Sequence, residues 1–348
     1  MGSDHSPESL FQAVVLAAEK YPDVGLTVLA TQNAVDQIYL QTSGHFPHQN
    51  ASIEFLIAPE FIETHEEPLP AIRKKKNSSL VLGLKLLKKR QIDGFVSAGN
   101  TGAFIAGAAL SLSLLPGIKR PALLASLPTD NGSVAIVDVG GNVSCKAHHL
   151  VQFAFLGAAY QRCCKGIGQP RVGLLNIGAE SKKGTSEVRL AYELLQEMCK
   201  RGDILFVGNV EGREVFQGAV DVVVTDGFTG NVLLKASEGV SFLIRRQLQD
   251  ALRRIIPAQS DLVLQGLHRQ FDYEEHHGAI VCGVDGVAVK CHGQSSSKGL
   301  FHGIMGAIHL VRSNFIPQLK ELLSQFVKIS EINGLILSKT DKSRNSDG

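Results

Sequence analysis

An α/β fold carried on a parallel sheet with crossover helices is what this chain predicts, on three observations. Between residues 92 and 231 one format recurs: a short β-branched run, then glycine with small polar residues, then a helix-like segment. Several of the short runs are apolar throughout, as strands covered on both faces require. The composition agrees, since 44% hydrophobic and 20% charged residues with 35 glycines and no tryptophan describe a globular enzyme rather than a fibrous or disordered chain.

Taken in order, the chain opens with a helix over 7–20, a strand over 26–30, a second strand over 53–57 and a helix over 78–90, all expected to extend the same sheet. The central strands follow at 94–97, 134–139, 171–177, 204–207 and 220–225. A long helical stretch over 231–256, a strand pair around 280–290 and two helices within 295–327 close the fold. The last residues, SKTDKSRNSDG, are polar and expected to fray. With no internal repeat and no visible linker, residues 1–338 read as a single domain and 339–348 as a flexible tail.

Several function classes are excluded by bulk properties. A formal charge of +2 provides no global field for nucleic acid. The six cysteines, at 145, 163, 164, 199, 282 and 291, form neither a C-x-x-C pair nor a regular framework, so reduced cytosolic thiols are expected. No apolar run reaches the roughly 18–20 residues of a membrane span, and MGSDHSPE lacks the pattern of a signal peptide. A cytoplasmic protein is expected.

In open parallel sheets ligands bind outside the carboxyl ends of the strands. Five glycine-rich loops fall at such ends here: SAGNTGA (97–103), DVGGN (138–142), NIGAESKKG (176–184), GNVEG (208–212) and TDGFTGN (225–231). One such loop is weak evidence. Five in succession suggest a shared cleft whose backbone N–H groups receive a polar, anionic ligand. None is a dinucleotide fingerprint or a P-loop, which disfavours nicotinamide and ATP.

Lys183, where the loop after the 171–177 strand enters a helix, either meets a phosphate or is a solvated surface lysine; the sequence leaves both open. Asp138 and Asp226 either orient donors or cap turns. The adjacent histidines at 148–149 and 276–277 do not share a helical face and make a poor metal site. Cys145 is the one thiol near the cleft, and it reads as buried and inert.

Together these motifs resemble the bacterial phosphate:acyl-ACP acyltransferase family, PlsX, over nearly the whole chain. MGSDHSPE is similar to the family's MGGDHAPE, and EEPLPAIRKKKNSSL (66–80) to its E-x-P-x-x-A-x-R-x-K-x-x-S-S segment. SAGNTGA is unaltered, and GNVEGREVFQGAVDVVVTDGFTGNVLLKASEG is similar almost throughout. The family's NIGEE is NIGAE here, with Ala179, and its YGGAPLLGVNG is HHGAIVCGVDG, while HGQSSS (292–297) keeps the His-Gly-x-Ser pattern.

The resemblance implies a doubly wound, mostly parallel α/β fold related to phosphate acetyltransferases and isopropylmalate dehydrogenases. It implies a homodimer that takes acyl chains from acyl carrier protein and delivers acyl phosphate to a membrane glycerol-phosphate acyltransferase for phospholipid synthesis. It implies no metal, nucleotide or other cofactor. The expected catalytic residues are Lys183, Asn209 and Asp226, with Asn100, Thr101, Asp138, Asn142 and Asn231 binding phosphate and substrate.

Phosphate is already ionised near neutral pH, so direct displacement at the thioester is expected rather than a covalent acyl-enzyme. The main alternative is a phosphate acetyltransferase acting on short acyl-CoA. A dehydrogenase of related fold lacks its fingerprint, and a non-enzymatic module would have no use for so many Asn-Gly strand ends. Two surfaces carry further expectations: the basic residues of 73–76 with Lys85, Lys88, Lys89 and Arg90 steer an acidic carrier protein, and the stretch FLIRRQLQDALRRII (242–256) packs in a dimer with its end on anionic membrane. Finally, the family's MGGDHAP follows a hydrophobic strand, so either the native start lies upstream of Met1 or the sheet lacks a strand, which an intact mass of the native protein decides.

Overall fold

The computed structural model describes residues 5–41, 53–255 and 278–332. In chain order the elements are α1 (Pro7–Lys20), β1 (Leu26–Ala30), α2 (Gln32–Gln41), β2 (Ile53–Ile57), α3 (Pro68–Lys74), α4 (Ser79–Lys88), β3 (Gly94–Ser97) and α5 (Thr101–Ser111). Next come β4 (Ala122–Thr129), β5 (Gly132–Val137), α6 (Ala147–Lys165), β6 (Arg171–Leu175), α7 (Ser186–Lys200), β7 (Leu205–Val210) and β8 (Val222–Val224). The chain continues through α8 (Gly227–Ile255), β9 (Ala279–Cys282), β10 (Val287–Lys290), α9 (Ser297–Arg312) and α10 (Phe315–Ile332). The polar tail and the His276–His277 pair lie outside the described residues.

The described chain forms two compact units, one from Met1–Ser113 with Val232–Arg312 and one from Leu114–Asn231 with the residues after Arg312. In the first unit, α1 begins where its sequence says it should. Pro7 occupies the first turn, and the Ser6 hydroxyl accepts a hydrogen bond from the Ser9 N–H at 3.4 Å. Its small face, Ala13 and Ala17, is buried against Ile304 and Ile308 of α9. In this unit β10 pairs in parallel with β3 and antiparallel with β9.

β1 and β2 do not extend that sheet, contrary to expectation. They pair in parallel with each other, Leu26 opposite Ile53 through Ala30 opposite Ile57, as a two-stranded sheet of their own. The reason is geometric. A cavity of about 670 Å³ is lined by residues of both β1 and β3, from Leu26 to Ala30 and from Gly94 to Ser97, and no ladder joins the two strands.

The second unit carries the mostly parallel sheet, in the order β4-β5-β8-β6-β7. β4 and β5 form an antiparallel hairpin, and the other three pairings are parallel. Val134–Val137 and Val222–Val224 are completely buried, which is why these runs are apolar without alternation. Helix α6 covers one face, and Tyr160 meets Phe315 of α10 edge to face at 6.2 Å. The register sets Val137 level with Val224, Val224 with Leu174, and Leu174 with Asn209. Four parallel strands therefore end along one rim.

Candidate functional site

At the rim, β5 runs directly into DVGGN. Asp138 is fully buried, and its carboxylate accepts five hydrogen bonds. Oδ1 takes the N–H groups of Leu123 (2.9 Å), Gly140 (3.2 Å) and Gly141 (2.9 Å), while Oδ2 takes the N–H (2.6 Å) and the side-chain amide (2.8 Å) of Asn142. Burial pushes this carboxyl above its ordinary range, and those same donors pull it back. Because the neighbours in reach are all donors, the loop is built around the ionised form. Asn142 spends its other amide hydrogen on the carbonyl of Pro121 at 2.8 Å.

The start of α8 is clamped onto this loop. The Gly227 N–H donates to the Asn142 carbonyl at 2.7 Å, and a Cβ at Gly227 would meet Asn142 backbone atoms at 2.7 to 3.0 Å. A Cβ at Gly230 would collide with the Asp138 carbonyl. The two glycines of TDGFTGN thus serve a close approach of backbone to backbone. Asp226 caps the helix, accepting from the Thr229 N–H at 2.9 Å and the Thr229 hydroxyl at 2.8 Å. Asn231 donates its amide to the Val139 carbonyl at 3.0 Å. Asp138, Asn142, Asp226 and Asn231 are therefore brought together, with the named polar groups engaged in shaping the rim.

The neighbouring loop is more open. Asn176 holds it shut at the base, its amide donating to the Lys183 carbonyl at 3.1 Å and its Oδ1 accepting from the Ile177 N–H at 2.8 Å. Lys183 itself is exposed, with its side chain passing over Gly178. Asn209, 8% exposed at the end of β7, donates its amide to the Glu180 carbonyl at 2.9 Å, and its Oδ1 is buried without a hydrogen-bond partner. A cation with a free head and an acceptor with a free lone pair share one loop cluster. The exposed ammonium can meet an anion from solvent, while the buried Oδ1 faces the interior of the cluster.

In the first unit, SAGNTGA is a helix entry. Asn100 is 6% exposed, and its Oδ1 accepts from the Ala103 N–H at 2.9 Å as the cap of α5. Its amide is shared among the carbonyls of Glu63, Thr64 and Glu66, each at 3.0 Å, so Asn100 ties α5 to the loop before α3. Thr101, the next residue, is exposed at the first turn.

The Cys145 thiol is pushed up to about 12 by burial and by the nearby Asp138 and Asp226 carboxylates, which makes it a poor nucleophile at neutral pH. His149 is driven down to about 4 by burial, by His148 and by the cations Arg120, Lys119 and Lys146. Among the described residues no group of His, Cys, Asp and Glu side chains could hold a metal. Asn176, inside a motif that the sequence marks, anchors the Lys183 loop, a part that its residue type alone does not reveal.

Residues 1–318 match the family described as "Fatty acid synthesis protein". A phosphate acyltransferase from Caldanaerobacter subterraneus is 39% identical over 326 residues, covering 92% of this chain and 95% of its own. Another from Chlamydia pneumoniae is 38% identical over 330 residues, covering 94% and 97%. Among solved structures, the EutD phosphotransacetylase of Staphylococcus aureus aligns with a TM-score of 0.56 at 15% identity, covering 88% of this chain and 92% of its own. A phosphotransacetylase from Streptococcus pyogenes aligns with a TM-score of 0.55 at 17% identity, covering 91% and 93%. At that identity the likeness concerns the fold alone.

Proposed function

The chain belongs to the phosphate acyltransferase (PlsX) family, and on that premise we propose that it moves a fatty acyl group from acyl carrier protein to inorganic phosphate, supplying acyl phosphate for phospholipid synthesis. The observation that most directly supports this reading is the loop cluster of Lys183 and Asn209. It offers an exposed ammonium at the strand-end rim, in a loop anchored by Asn176 and Asn209. Lys183, Asn209 and the capped start of α8 at Asp226 form the proposed catalytic set. Asn142, Asp138 and Asn231 hold the rim in shape.

In the proposed reaction a phosphate oxygen attacks the thioester carbonyl carbon. The C–O bond forms, the C–S bond breaks through a tetrahedral oxyanion, and the thiolate leaves and takes up a proton. Lys183 neutralises the phosphate and stabilises the tetrahedral oxyanion, where one well-placed donor is worth roughly 3–4 kcal/mol. No covalent enzyme intermediate is needed, and the high pKa of Cys145 agrees with that.

The test is release of free carrier-protein thiol from a long-chain acyl carrier protein. It should require phosphate, and arsenate should substitute, giving an acyl arsenate that hydrolyses. Cleavage that ignores both anions would sink the proposal. A preference for short acyl-CoA over the carrier-bound donor would replace it with the phosphate acetyltransferase reading.

Carrier docking is proposed on the basic surface of α3 and α4, where two residues of the expected set are already paired. Lys75 is occupied, pairing with Glu66 at 2.6 Å and donating to the Phe61 carbonyl at 2.9 Å, and Arg90 pairs with Asp285 at 2.7 Å. Arg73, Lys74, Lys76, Lys85, Lys88 and Lys89 remain exposed. Reversing Lys74, Lys88 and Lys89 to Glu should lower the carrier on-rate about tenfold at low salt while leaving turnover at saturation nearly intact. Unchanged stopped-flow association would place docking elsewhere.

The homodimer and the membrane contact are proposed on α8. Val240, Phe242, Leu243, Ile244 and Ile255 are exposed on it beside Arg246, Arg253 and Arg254, while Ile256 lies outside the described residues. Most of this apolar face is assigned to a second copy and its end to anionic lipid, the route by which product reaches a membrane glycerol-phosphate acyltransferase. No described helix is long and apolar enough to cross a membrane. Flotation should show weak binding to anionic vesicles that salt removes, and no binding even at low salt rejects the membrane contact.

A further inference from the structure

The carboxyl end of β10 buries an ammonium group that the expected site residues leave unused. Lys290 closes that strand and is only 4% exposed. Alternation along β10 decides which way it faces. Val287 lies beside Gly94 under Ala307 and Val311 of α9, and Cys291 lies under Gly303 of the same helix. Lys290 is therefore turned to the opposite face of the strand. Its Nζ donates to the carbonyl of Cys291, and among the described residues it makes no ion pair with a carboxylate.

The register fixes what it stands beside. Lys290 is paired with Ser97 across the parallel ladder, and the Cys291 N–H donates to the Ser97 carbonyl at 2.9 Å. The ammonium is thus level with the first residue of the SAGNTGA loop, in the same unit as the exposed Thr101. The charged and titratable groups around it are few. β3 and α5 contribute none, the Cys282 thiol of β9 falls opposite Val287 on the other face, α8 contributes Lys235 with its partner Glu238 at 2.8 Å, and the chain itself contributes the Cys291 thiol, which burial pushes up to about 12 and keeps neutral. Burial pulls Lys290 down to about 8, and the like charge of Lys235 acts in the same direction.

A buried ammonium without a carboxylate costs folding free energy, because hydration is lost and only a carbonyl replaces it. An anion arriving at this strand end would supply the missing partner. We propose that Lys290 is a phosphate-binding residue, its ammonium holding inorganic phosphate beside the loop of residues 97–103. The identity of the anion rests on the acyltransfer reading; the need for an anion rests on the buried charge.

Phosphate bound there favours protonated Lys290, so affinity for phosphate should fall as pH rises through about 8, where the free lysine loses its proton. The experiment measures phosphate-induced thermal stabilisation and the Michaelis constant for phosphate on either side of that pH in the full-length protein, Lys290→Met and Lys290→Arg. Lys290→Met should be at least as resistant to unfolding as the parent, lose the phosphate-induced stabilisation, and raise the Michaelis constant about tenfold or more, the equivalent of one charge-assisted hydrogen bond. Lys290→Arg should keep phosphate binding and lose its alkaline limb, since guanidinium stays charged.

Lys290→Met with parental phosphate stabilisation and Michaelis constant overturns the inference. If Lys290→Met fails to fold, an alkaline limb that persists in Lys290→Arg overturns it instead. A parent protein that phosphate stabilises but that cleaves no thioester refutes the proposed reaction while the binding data still decide the lysine. A parent that phosphate does not stabilise refutes the lysine's role.

Discussion

Asp138→Asn is expected to cost about 3–5 kcal/mol of stability, a large share of the roughly 5–15 kcal/mol that holds a typical protein together. The substitution keeps the shape of the side chain and replaces one acceptor oxygen by an NH₂. With the remaining oxygen placed at Oδ1, the Leu123, Gly140 and Gly141 donors stay satisfied, but the Asn142 N–H and amide then face hydrogens instead of an acceptor. Each buried group left unpaired costs roughly 1–3 kcal/mol, and the negative charge around which the loop is arranged disappears. Urea unfolding should show a lower midpoint with an unchanged slope. A variant of parental stability with a raised Michaelis constant would mean that Asp138 contacts substrate and that its five hydrogen bonds are incidental.

That contrast separates what the sequence could convey from what it could not. The bounds of α1, β1, β2 and β3 were legible because local signals set them: Ser6 and Pro7 at the start of α1, and short apolar runs bounded by turn residues for the strands. β4 was not read, since ALLASLPT carries a proline and little β-branching, and only its antiparallel ladder to β5 makes it a strand. The membership of β1 in the sheet was misjudged because periodicity reports a strand and never its neighbour.

The site divides in the same way. Residue type and position at strand ends pointed to Asn100, Asp138 and Asp226, yet their polar atoms are engaged by groups that only the fold brings near. Asn100 is bonded to Glu63, Thr64 and Glu66, and Asp138 to Leu123, across spans no local pattern records. Asp226 is the exception, a helix cap of the kind its own sequence context allows. Lys290 was hidden for the opposite reason. A lysine after VAV suggests an exposed strand end, and burial is a tertiary fact.

Lys183→Ala should impair catalysis far more than folding. The side chain is exposed, and its loop is held by backbone and by Asn176, through the Lys183 N–H to the Glu180 carbonyl at 3.1 Å and the Asn176 amide to the Lys183 carbonyl at 3.1 Å. Both bonds survive removal of the ammonium, so the unfolding midpoint should move by no more than about 0.5 kcal/mol equivalent. The rate constant kcat/KM for phosphate should fall roughly tenfold to a thousandfold, the range set by losing one cation or donor from a preorganised anion site. How that loss divides identifies the step. An ammonium that holds phosphate equally in ground and transition states raises KM alone, whereas one that meets charge developing at the reacting centre lowers kcat. Because Asn209 anchors the same loop through the Glu180 carbonyl, Asn209→Asp should weaken phosphate binding by placing a buried negative charge beneath the Lys183 loop, and the Lys183→Ala, Asn209→Asp double variant should show a non-additive loss. A fully active Lys183→Ala enzyme would remove the lysine from the reaction and leave phosphate acyltransfer itself standing.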